Sequence, residues 1–176
     1  MSLEPDIIRI AGVVKESIVD GPGIRYVVFA QGCPHRCMGC HNEATHDFSG
    51  GTEIETEKVF SDIVKNPMLS GVTFSGGEPF CQPAGFLALA LRLKEKNVNI
   101  LAYSGYTYEE LISLQKKDEN IKALLENIDI LIDGRFVIEK RDLELQFKGS
   151  SNQRYIDMNA TREKGKLMLL ENLNNL

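Results

Sequence analysis

The sequence predicts an α/β fold in which mostly parallel strands alternate with helices. Short apolar runs rich in β-branched residues recur along the chain, and segments with one apolar face at helical spacing separate them. The chain has 176 residues, of which 43% are hydrophobic and 26% are charged. This composition is typical of a folded globular domain. The length is enough for one core but falls short of a complete eight-unit α/β barrel, which needs about 250 residues.

The first half of the chain contains two strand patterns and two helix patterns. Residues 24–30 form a β-branched and aromatic run that predicts a buried strand. A helix capped by Thr56 is predicted next, because the apolar residues that follow share one helical face. The next predicted strand covers residues 71–75. A strongly apolar helix then begins at Pro83 and ends near Lys96.

The second half continues this alternation as far as residue 133. A strand is predicted at 98–103, and Thr107 with Glu110 forms a capping-box pattern at the start of the next helix. A further helix is predicted at about 119–127, and a fourth strand at 128–133. The order β-α-β-α-β-α-β predicts a parallel sheet with right-handed crossovers.

One domain is predicted over residues 1–176, with a core at about 8–135 and a carboxyl-terminal extension at about 136–176. The extension is polar and charged, and residues 166–171 fit either a strand or a helix. We find no internal repeat or linker that would divide the chain.

Charge and hydropathy exclude two classes of partner. The chain has 20 Lys and Arg against 25 Asp and Glu, which gives a net charge of −5 and argues against nucleic-acid binding. The longest apolar stretch, residues 86–91, is too short to cross a membrane. No signal peptide is visible at the amino terminus. The sequence therefore predicts a cytoplasmic protein with no nucleic-acid or membrane partner.

Three of the four cysteines form a C-x3-C-x2-C motif directly after the first predicted strand: Cys33, Cys37 and Cys40. Thiolates bind iron–sulfur clusters, and three of them would leave one iron of a cubane cluster without a protein ligand. Structural zinc held by these cysteines and a nearby histidine is the alternative, and spacing alone does not separate the two. Cys81, the fourth cysteine, is predicted to be a small buried hydrophobic residue.

Four polar or glycine-rich segments follow predicted strands, and the carboxyl ends of parallel strands share one edge of a sheet. They are the cysteine loop and residues 76–78, 104–105 and 133–135. Gly76 and Gly77 would let a ligand approach the backbone, and Glu78 suits an ammonium group. Arg135 could hold a carboxylate with two hydrogen bonds. Taken singly, Gly76 and Gly77 are more typical of an ordinary βα turn, and Arg135 is more typical of a solvated surface arginine.

The combination of the cysteine motif after one strand and GGEP after the next resembles the radical S-adenosylmethionine superfamily. Three further features are similar to one family within it, the activases of anaerobic ribonucleoside-triphosphate reductase, and the resemblance spans about residues 8–160. They are DGPGIR at 20–25, Gly39 before the third cysteine, and GSSNQRYID at 149–157.

The resemblance implies two cofactors, a 4Fe-4S cluster and S-adenosyl-L-methionine. It implies that Cys33, Cys37 and Cys40 are the cluster ligands, and it adds no catalytic residue beyond them. S-adenosylmethionine would bind through its ammonium group to Gly76, Gly77 and Glu78. Its adenine would lie against the backbone around Gly39 and His41, and its carboxylate on Arg135.

The resemblance also implies a reaction and partners. Reductive cleavage of S-adenosylmethionine would give a radical that removes a hydrogen from a glycine-bearing loop of the reductase. An electron donor such as flavodoxin or ferredoxin would supply the electron. A polypeptide substrate needs an open side, so we expect an incomplete TIM-like (β/α) half-barrel of four to six strands. Residues 20–25 are expected to be either a docking face or a structural turn, and Gln153 and Arg154 are further docking candidates.

Three other functions fit parts of the sequence. The chain could activate another glycyl-radical enzyme such as pyruvate formate-lyase, although Gly39 and the GSSNQR segment favour the reductase. A noncatalytic zinc-binding module would leave the GGEP segment and Arg135 without a role. A radical enzyme acting on a small molecule, such as a deazapurine synthase, would need a second pocket for its substrate.

Overall fold

A computed structural model of the chain describes residues 6–174. Of the predicted domain, residues 1–5 and 175–176 lie outside the described residues. The described part contains eight strands: β1 (Ile7–Ser17), β2 (Arg25–Ala30), β3 (Thr52–Glu55), β4 (Gly71–Gly76), β5 (Ile100–Ser104), β6 (Ile130–Asp133), β7 (Arg154–Asp157) and β8 (Leu169–Leu170). Its helices are α1 (Thr56–Ile63), α2 (Pro83–Glu95), α3 (Tyr108–Leu114), α4 (Glu119–Glu126) and α5 (Met158–Lys164).

The strands form one mixed sheet in the order β3-β1-β2-β4-β5-β6-β7-β8. Its central strands β2, β4, β5 and β6 are parallel, as predicted. The expectations of a mostly parallel sheet and of four to six strands are wrong, because antiparallel strands extend both edges of the parallel centre. Four of the seven pairings are antiparallel: β1 with β2 and β3, and β7 with β6 and β8. Antiparallel strands need no crossover helix, so the βα alternation in the sequence does not reveal them.

The helices cover one face of the sheet. All five contribute buried side chains to the larger core cluster, together with strand residues such as Val72 and Phe74. A smaller cluster covers part of the opposite face, and it includes Leu101, Ile132 and Leu173. Successive residues of a strand point to opposite faces, so Ser75 and Tyr103 face away from the helices. This second face remains open near the carboxyl ends of the parallel strands.

Local signals set most helix ends. The predicted capping box of α3 is present: the Thr107 side chain accepts from the Glu110 backbone, and the Glu110 side chain accepts from the Thr107 backbone. The predicted cap at Thr56 is wrong, because Glu55 is the capping residue and Thr56 is the first, buried residue of α1. Within residues 6–174, no helix has the length and apolar character needed to cross a membrane.

Candidate cofactor-binding site

A cavity of about 390 Å³ lies at the carboxyl ends of the parallel strands. This volume is in the range of sites for small organic molecules. All four segments that the sequence places at this edge contribute to its lining. The contributing residues include the three clustered cysteines, Gly76, Gly77, Ser104, Gly105 and Gly134.

The backbone fixes both ends of the cysteine loop, which we define as residues 33–42. Gly32 N donates to Thr45 O at 2.7 Å, and Cys33 N donates to His46 O at 3.2 Å. The buried Gln31 amide donates to the carbonyl of Asp47 at 2.6 Å. These bonds hold the loop against the end of β2, so that all three cysteine side chains border the cavity.

All three clustered cysteines are free thiols. Burial raises the pKa of Cys33 and of Cys40, and backbone hydrogen bonds oppose this effect in part. Burial also raises the pKa of Cys81 to about 12, and the charge of Glu78 adds to the effect. Cys81 does not border the cavity. Because a thiolate is the form that binds metal, metal binding at Cys33 and Cys40 must release their protons.

The donor set fits an iron–sulfur cluster. All three clustered thiols border the same cavity. A cluster spreads its thiolate ligands over several irons. Three thiols on one loop around a cavity match that requirement and leave room for a further ligand.

Gly76 and Gly77 bring bare backbone to the cavity wall. Gly76 has φ +84°, and a Cβ atom there would lie 2.7 Å from Ala30 N. A Cβ atom on Gly77 would lie 2.5 Å from Gly32 O. Only glycine fits this close approach between the end of β4 and the start of the cysteine loop.

The Glu78 carboxylate is fully buried and does not border the cavity. It accepts hydrogen bonds from Ser104 Oγ at 3.0 Å, Gly105 N at 2.8 Å and Phe80 N at 3.1 Å. His35 Nε2 lies 2.8 Å from the same carboxylate. The structure therefore gives Glu78 an architectural role, and its contact with an ammonium group stays a prediction.

The remaining site residues from the sequence lie in different places. His41 borders the cavity, with its ring centroid 6.0 Å from that of Phe136. A Cβ atom on Gly39 would lie 2.9 Å from Ile138. Arg135 does not border the cavity: its guanidinium binds Glu110 at 3.1 Å, and both side chains are partly exposed. The structure thus brings His41 to the cysteines but does not bring Arg135 there.

The carboxyl-terminal extension supplies a cavity wall that the sequence reasoning missed. Residues 141–143, 145 and 147–149 border the cavity, and Tyr103 Oη donates to Phe147 O at 2.6 Å. Gln153 holds the base of this segment: its Oε1 accepts from Gly149 N at 2.8 Å, and its amide donates to Gly134 O at 3.1 Å. The GSSNQR motif was the available signal. Its glutamine acts here within the fold.

Arg154 forms the most buried ion pair with an arginine in residues 6–174. Its Nε donates to Asp133 Oδ1 at 2.9 Å, and Asp133 is 1% exposed. Its Nη2 also donates to Glu109 at 2.7 Å. Hydrogen bonds to both carboxylates raise the pKa of Arg154. This network joins β6, β7 and the start of α3, so the structure gives Arg154 a role within the fold.

We expect Glu109→Gln to change the acid sensitivity of the fold slightly. The hydrogen bond from Arg154 lowers the pKa of Glu109 in the folded chain. A lowered pKa stabilises the fold above the ordinary glutamate pKa, and the contribution disappears as pH falls through the folded value. Urea unfolding between about pH 6 and about pH 3 should show the difference between wild type and Glu109→Gln shrinking toward acid. A difference that grows toward acid would contradict the assignment.

The arginine of the DGPGIR segment, Arg25, has a structural role. Arg25 is 1% exposed and donates to Thr73 Oγ1 at 2.7 Å and to Val72 O at 2.7 Å. Burial lowers its pKa to about 10. A Cβ atom on Gly21 would lie 2.5 Å from the Arg25 side chain. Asp20, at the other end of the segment, borders the cavity.

Comparisons with known proteins agree with this geometry. Residues 19–156 match the family model described as a 4Fe-4S single cluster domain. The anaerobic ribonucleoside-triphosphate reductase-activating protein of Vibrio cholerae is 37% identical over 145 residues, which cover 77% of this chain and 89% of that protein. The protein of the same name from Escherichia coli K12 is 32% identical, with 77% and 90% covered. The pyruvate formate-lyase-activating enzyme of Clostridium pasteurianum is 34% identical over 127 residues, which cover 69% of this chain and 53% of that enzyme.

The match to the family model includes the whole cavity, from the cysteine loop to Gln153. The reductase-activating relatives are matched over most of their own length, whereas the pyruvate formate-lyase-activating enzyme is matched over about half. The chain therefore belongs to the family of anaerobic ribonucleoside-triphosphate reductase-activating proteins.

Proposed function

We propose that this chain is a radical S-adenosylmethionine activase that generates a glycyl radical on anaerobic ribonucleoside-triphosphate reductase. One observation carries the proposal: three free thiols and the bare Gly76-Gly77 backbone meet at one cavity. The reductase-activating relatives that match this chain over most of their own length have names that state this activating role.

Different residues around the cavity bind the two cofactors. Cys33, Cys37 and Cys40 hold a 4Fe-4S cluster, whose one unligated iron is left for S-adenosylmethionine. When bound, the cluster supplies the electron for cleavage of S-adenosylmethionine. The Gly76–Glu78 segment receives the ammonium group, and the backbone at Gly39 and His41 receives the adenine. No catalytic residue beyond the cluster ligands is proposed.

The protein's own contribution is to bind, orient and shield. The backbone of Gly76 and Gly77 can reach a ligand without an intervening side chain. Phe136 and Phe147 provide apolar parts of the lining. These features keep competing reactants away from the cofactors while a partner's glycine enters.

A protein partner is supported by four exposed apolar side chains that line the cavity or adjoin its lining residues in sequence, which we call the apolar rim: Ile18, Val19, Met38 and Leu143. These are the four most exposed large apolar side chains in residues 6–174, at 74%, 71%, 76% and 81%. Val19 and Leu143 border the cavity, and Met38 lies between two of the cysteines. Clustered exposed apolar residues mark interaction sites. We assign this rim to the glycine-bearing loop of the reductase.

The finer architecture belongs to the same proposal. An open half-barrel is supported by the parallel centre of the sheet and by the restriction of the helices to one face. In this arrangement the single domain has a cofactor core at about 8–135, and the extension at about 136–176 completes the cavity wall. The net charge of −5 argues against a nucleic-acid partner. A cytoplasmic location without a membrane partner belongs to the same proposal. Flavodoxin or ferredoxin would supply the electron.

The proposal predicts radical transfer in a defined mixture. The chain is reconstituted anaerobically with iron and sulfide, reduced, and given S-adenosylmethionine and purified anaerobic ribonucleoside-triphosphate reductase. We expect 5′-deoxyadenosine by chromatography and a glycyl radical by electron paramagnetic resonance. A reductase variant with alanine at the accepting glycine is the control and should give no such signal. A cluster-loaded chain that forms neither product, with reductase present, would remove the proposal.

Activation of pyruvate formate-lyase is the second candidate, because a named activator of that enzyme is 34% identical to this chain. The test is competition: equal amounts of the two glycyl-radical enzymes are offered to the same cluster-loaded chain. We expect the radical on the reductase. A radical formed mainly on pyruvate formate-lyase would favour the second candidate.

The place of Arg135 is a separate prediction. Its ion pair with Glu110 would have to open before the guanidinium could receive the carboxylate of S-adenosylmethionine. Equilibrium dialysis of Arg135→Ala with S-adenosylmethionine measures this role. A loss of affinity of about tenfold or more fits a lost charged hydrogen bond and supports the assignment. Unchanged affinity would remove Arg135 from the site.

A further inference from the structure

One side-chain hydrogen bond joins the middle of the cysteine loop to the rest of the fold. Within the described chain, the segment 34–41 makes one hydrogen bond to a residue outside the cysteine loop, from His35 to Glu78. The other hydrogen bonds of this segment stay inside the loop, such as Cys40 N to Cys37 O at 3.2 Å. His35 lies two residues after Cys33 and two before Cys37. It therefore makes the hydrogen-bonded attachment of the ligand-bearing part, which otherwise only packs through Gly39 and His41 against residues 136 and 138.

The acceptor of this bond is fixed independently of His35. Glu78 accepts from Ser104, Gly105 and Phe80, which lie at the end of β5 and directly after β4. The Glu78 side chain is 0% exposed and that of His35 is 4% exposed. Loss of the histidine would therefore leave the carboxylate in place with three donors, whereas the middle of the cysteine loop would lose its hydrogen bond to the rest of the fold.

Packing also restricts the position of the His35 ring. The ring meets Tyr106 edge-on, with centroids 4.4 Å apart and planes at 77°. A Cβ atom on Gly105 would lie 2.2 Å from His35 Cδ2, so the ring sits directly on the backbone after β5. The ring thus has one available place, between Tyr106, Gly105 and Glu78.

We propose that His35 is a positioning residue that sets the cysteine loop relative to the Gly76-Gly77 backbone; this inference rests on the proposed function. The loop carries the cluster ligands, and Glu78 directly follows the backbone assigned to the ammonium group. One ligand must meet both parts at once, and such constellations tolerate only about 0.5 Å of displacement. His35 couples the two parts through a buried contact, without touching the reacting atoms.

Two variants separate the hydrogen bond from the packing. His35→Phe keeps a ring against Tyr106 but has no donor for Glu78, whereas His35→Gln keeps an amide donor without the ring. Iron content, S-adenosylmethionine affinity by equilibrium dialysis, and the change that S-adenosylmethionine causes in the resonance spectrum of the reduced cluster are measured for both. Thermal unfolding shows whether each variant is as stable as wild type.

We expect His35→Phe to bind iron but to lose affinity for S-adenosylmethionine about tenfold or more, because the cysteine loop would no longer be held in place relative to the Gly76-Gly77 backbone. The spectral change on adding S-adenosylmethionine should weaken in parallel, and His35→Gln should restore both. Iron lost from His35→Phe but retained by His35→Gln would support the same role. Equal affinity of His35→Phe and wild type, or failure of both variants alike, would overturn it.

Gly105→Ala reaches the same contact from the other side. The added methyl group would occupy the place of the His35 ring, so the variant should reproduce the affinity loss of His35→Phe. Wild-type affinity in Gly105→Ala would count against the proposal. The proposed function fails separately, if wild type binds S-adenosylmethionine but yields neither 5′-deoxyadenosine nor a glycyl radical. The contrast between the Phe and Gln variants remains measurable in that case.

Discussion

Cys40→Ser should abolish cleavage of S-adenosylmethionine, whereas Cys81→Ser should retain it. Cys40 borders the cavity at the end of the cysteine loop, and with three thiol ligands there is none to spare. A serine hydroxyl is a poor ligand for the soft iron–sulfur core. After anaerobic reconstitution, we expect Cys40→Ser to form 5′-deoxyadenosine only at the level of a protein-free control.

Cys81→Ser is a matched control because it makes the same substitution outside the cavity. The burial that raises the pKa of Cys81 to about 12 keeps this thiol protonated at neutral pH. Iron and sulfide content should therefore match wild type in Cys81→Ser and fall in Cys40→Ser. If Cys81→Ser lost its cluster and Cys40→Ser kept it, the ligand assignment would be wrong.

Arg154→Ala should lower the free energy of unfolding by about 3 kcal/mol, because it leaves the buried Asp133 carboxylate without its cation. The Tyr108 backbone N–H remains as a donor to Asp133 at 2.6 Å, so part of the solvation is kept. The loss should appear as a lower urea midpoint with an unchanged dependence on urea concentration. The same variant should loosen the connection between β6 and β7.

Arg135→Ala is the comparison for this prediction, because it removes a neighbouring arginine from an exposed pair. Arg135 and Glu110 are 45% and 41% exposed, and such pairs contribute less than about 1 kcal/mol. The two variants remove the same side chain at positions 19 residues apart in sequence. Equal losses in both would show that burial of Asp133 does not decide the effect.

Local patterns predicted the centre of the sheet and the position of the cysteine loop. The strands at 25–30 and 71–76 are almost fully buried, and their apolar runs identify them without knowledge of their neighbours. Strands β1 and β3 were not predicted, because their burial alternates irregularly and depends on pairing with each other. The short strand β7 likewise depends on its pairing with β6, and β8 depends on its pairing with β7. The pattern at 166–171, which contains β8, fits either a strand or a helix.

Residue type located the site but did not determine the orientation of its side chains. Glu78 and Arg135 follow the predicted strands, yet their partners are distant in sequence. Glu78 meets Ser104 26 residues later and His35 43 residues earlier, and Arg135 meets Glu110 25 residues earlier. Such contacts arise from the tertiary fold, so a single sequence cannot show that Glu78 is buried and Arg135 is turned aside. Gly76 and Gly77 were more informative, because a Cβ atom at either position would collide with neighbouring backbone.

The wall that residues 141–149 contribute makes the cavity a composite of two parts that are distant in sequence. The cysteines and glycines that we propose as cofactor-binding residues lie before residue 78, whereas this wall comes from the other end of the domain and is joined to the sheet through Tyr103 and Gln153. Under the proposed function, substitutions in the late segment would alter which polypeptide is admitted while the cofactor-binding residues stay unchanged. The choice of client and the radical chemistry would then be encoded in separate stretches of one chain.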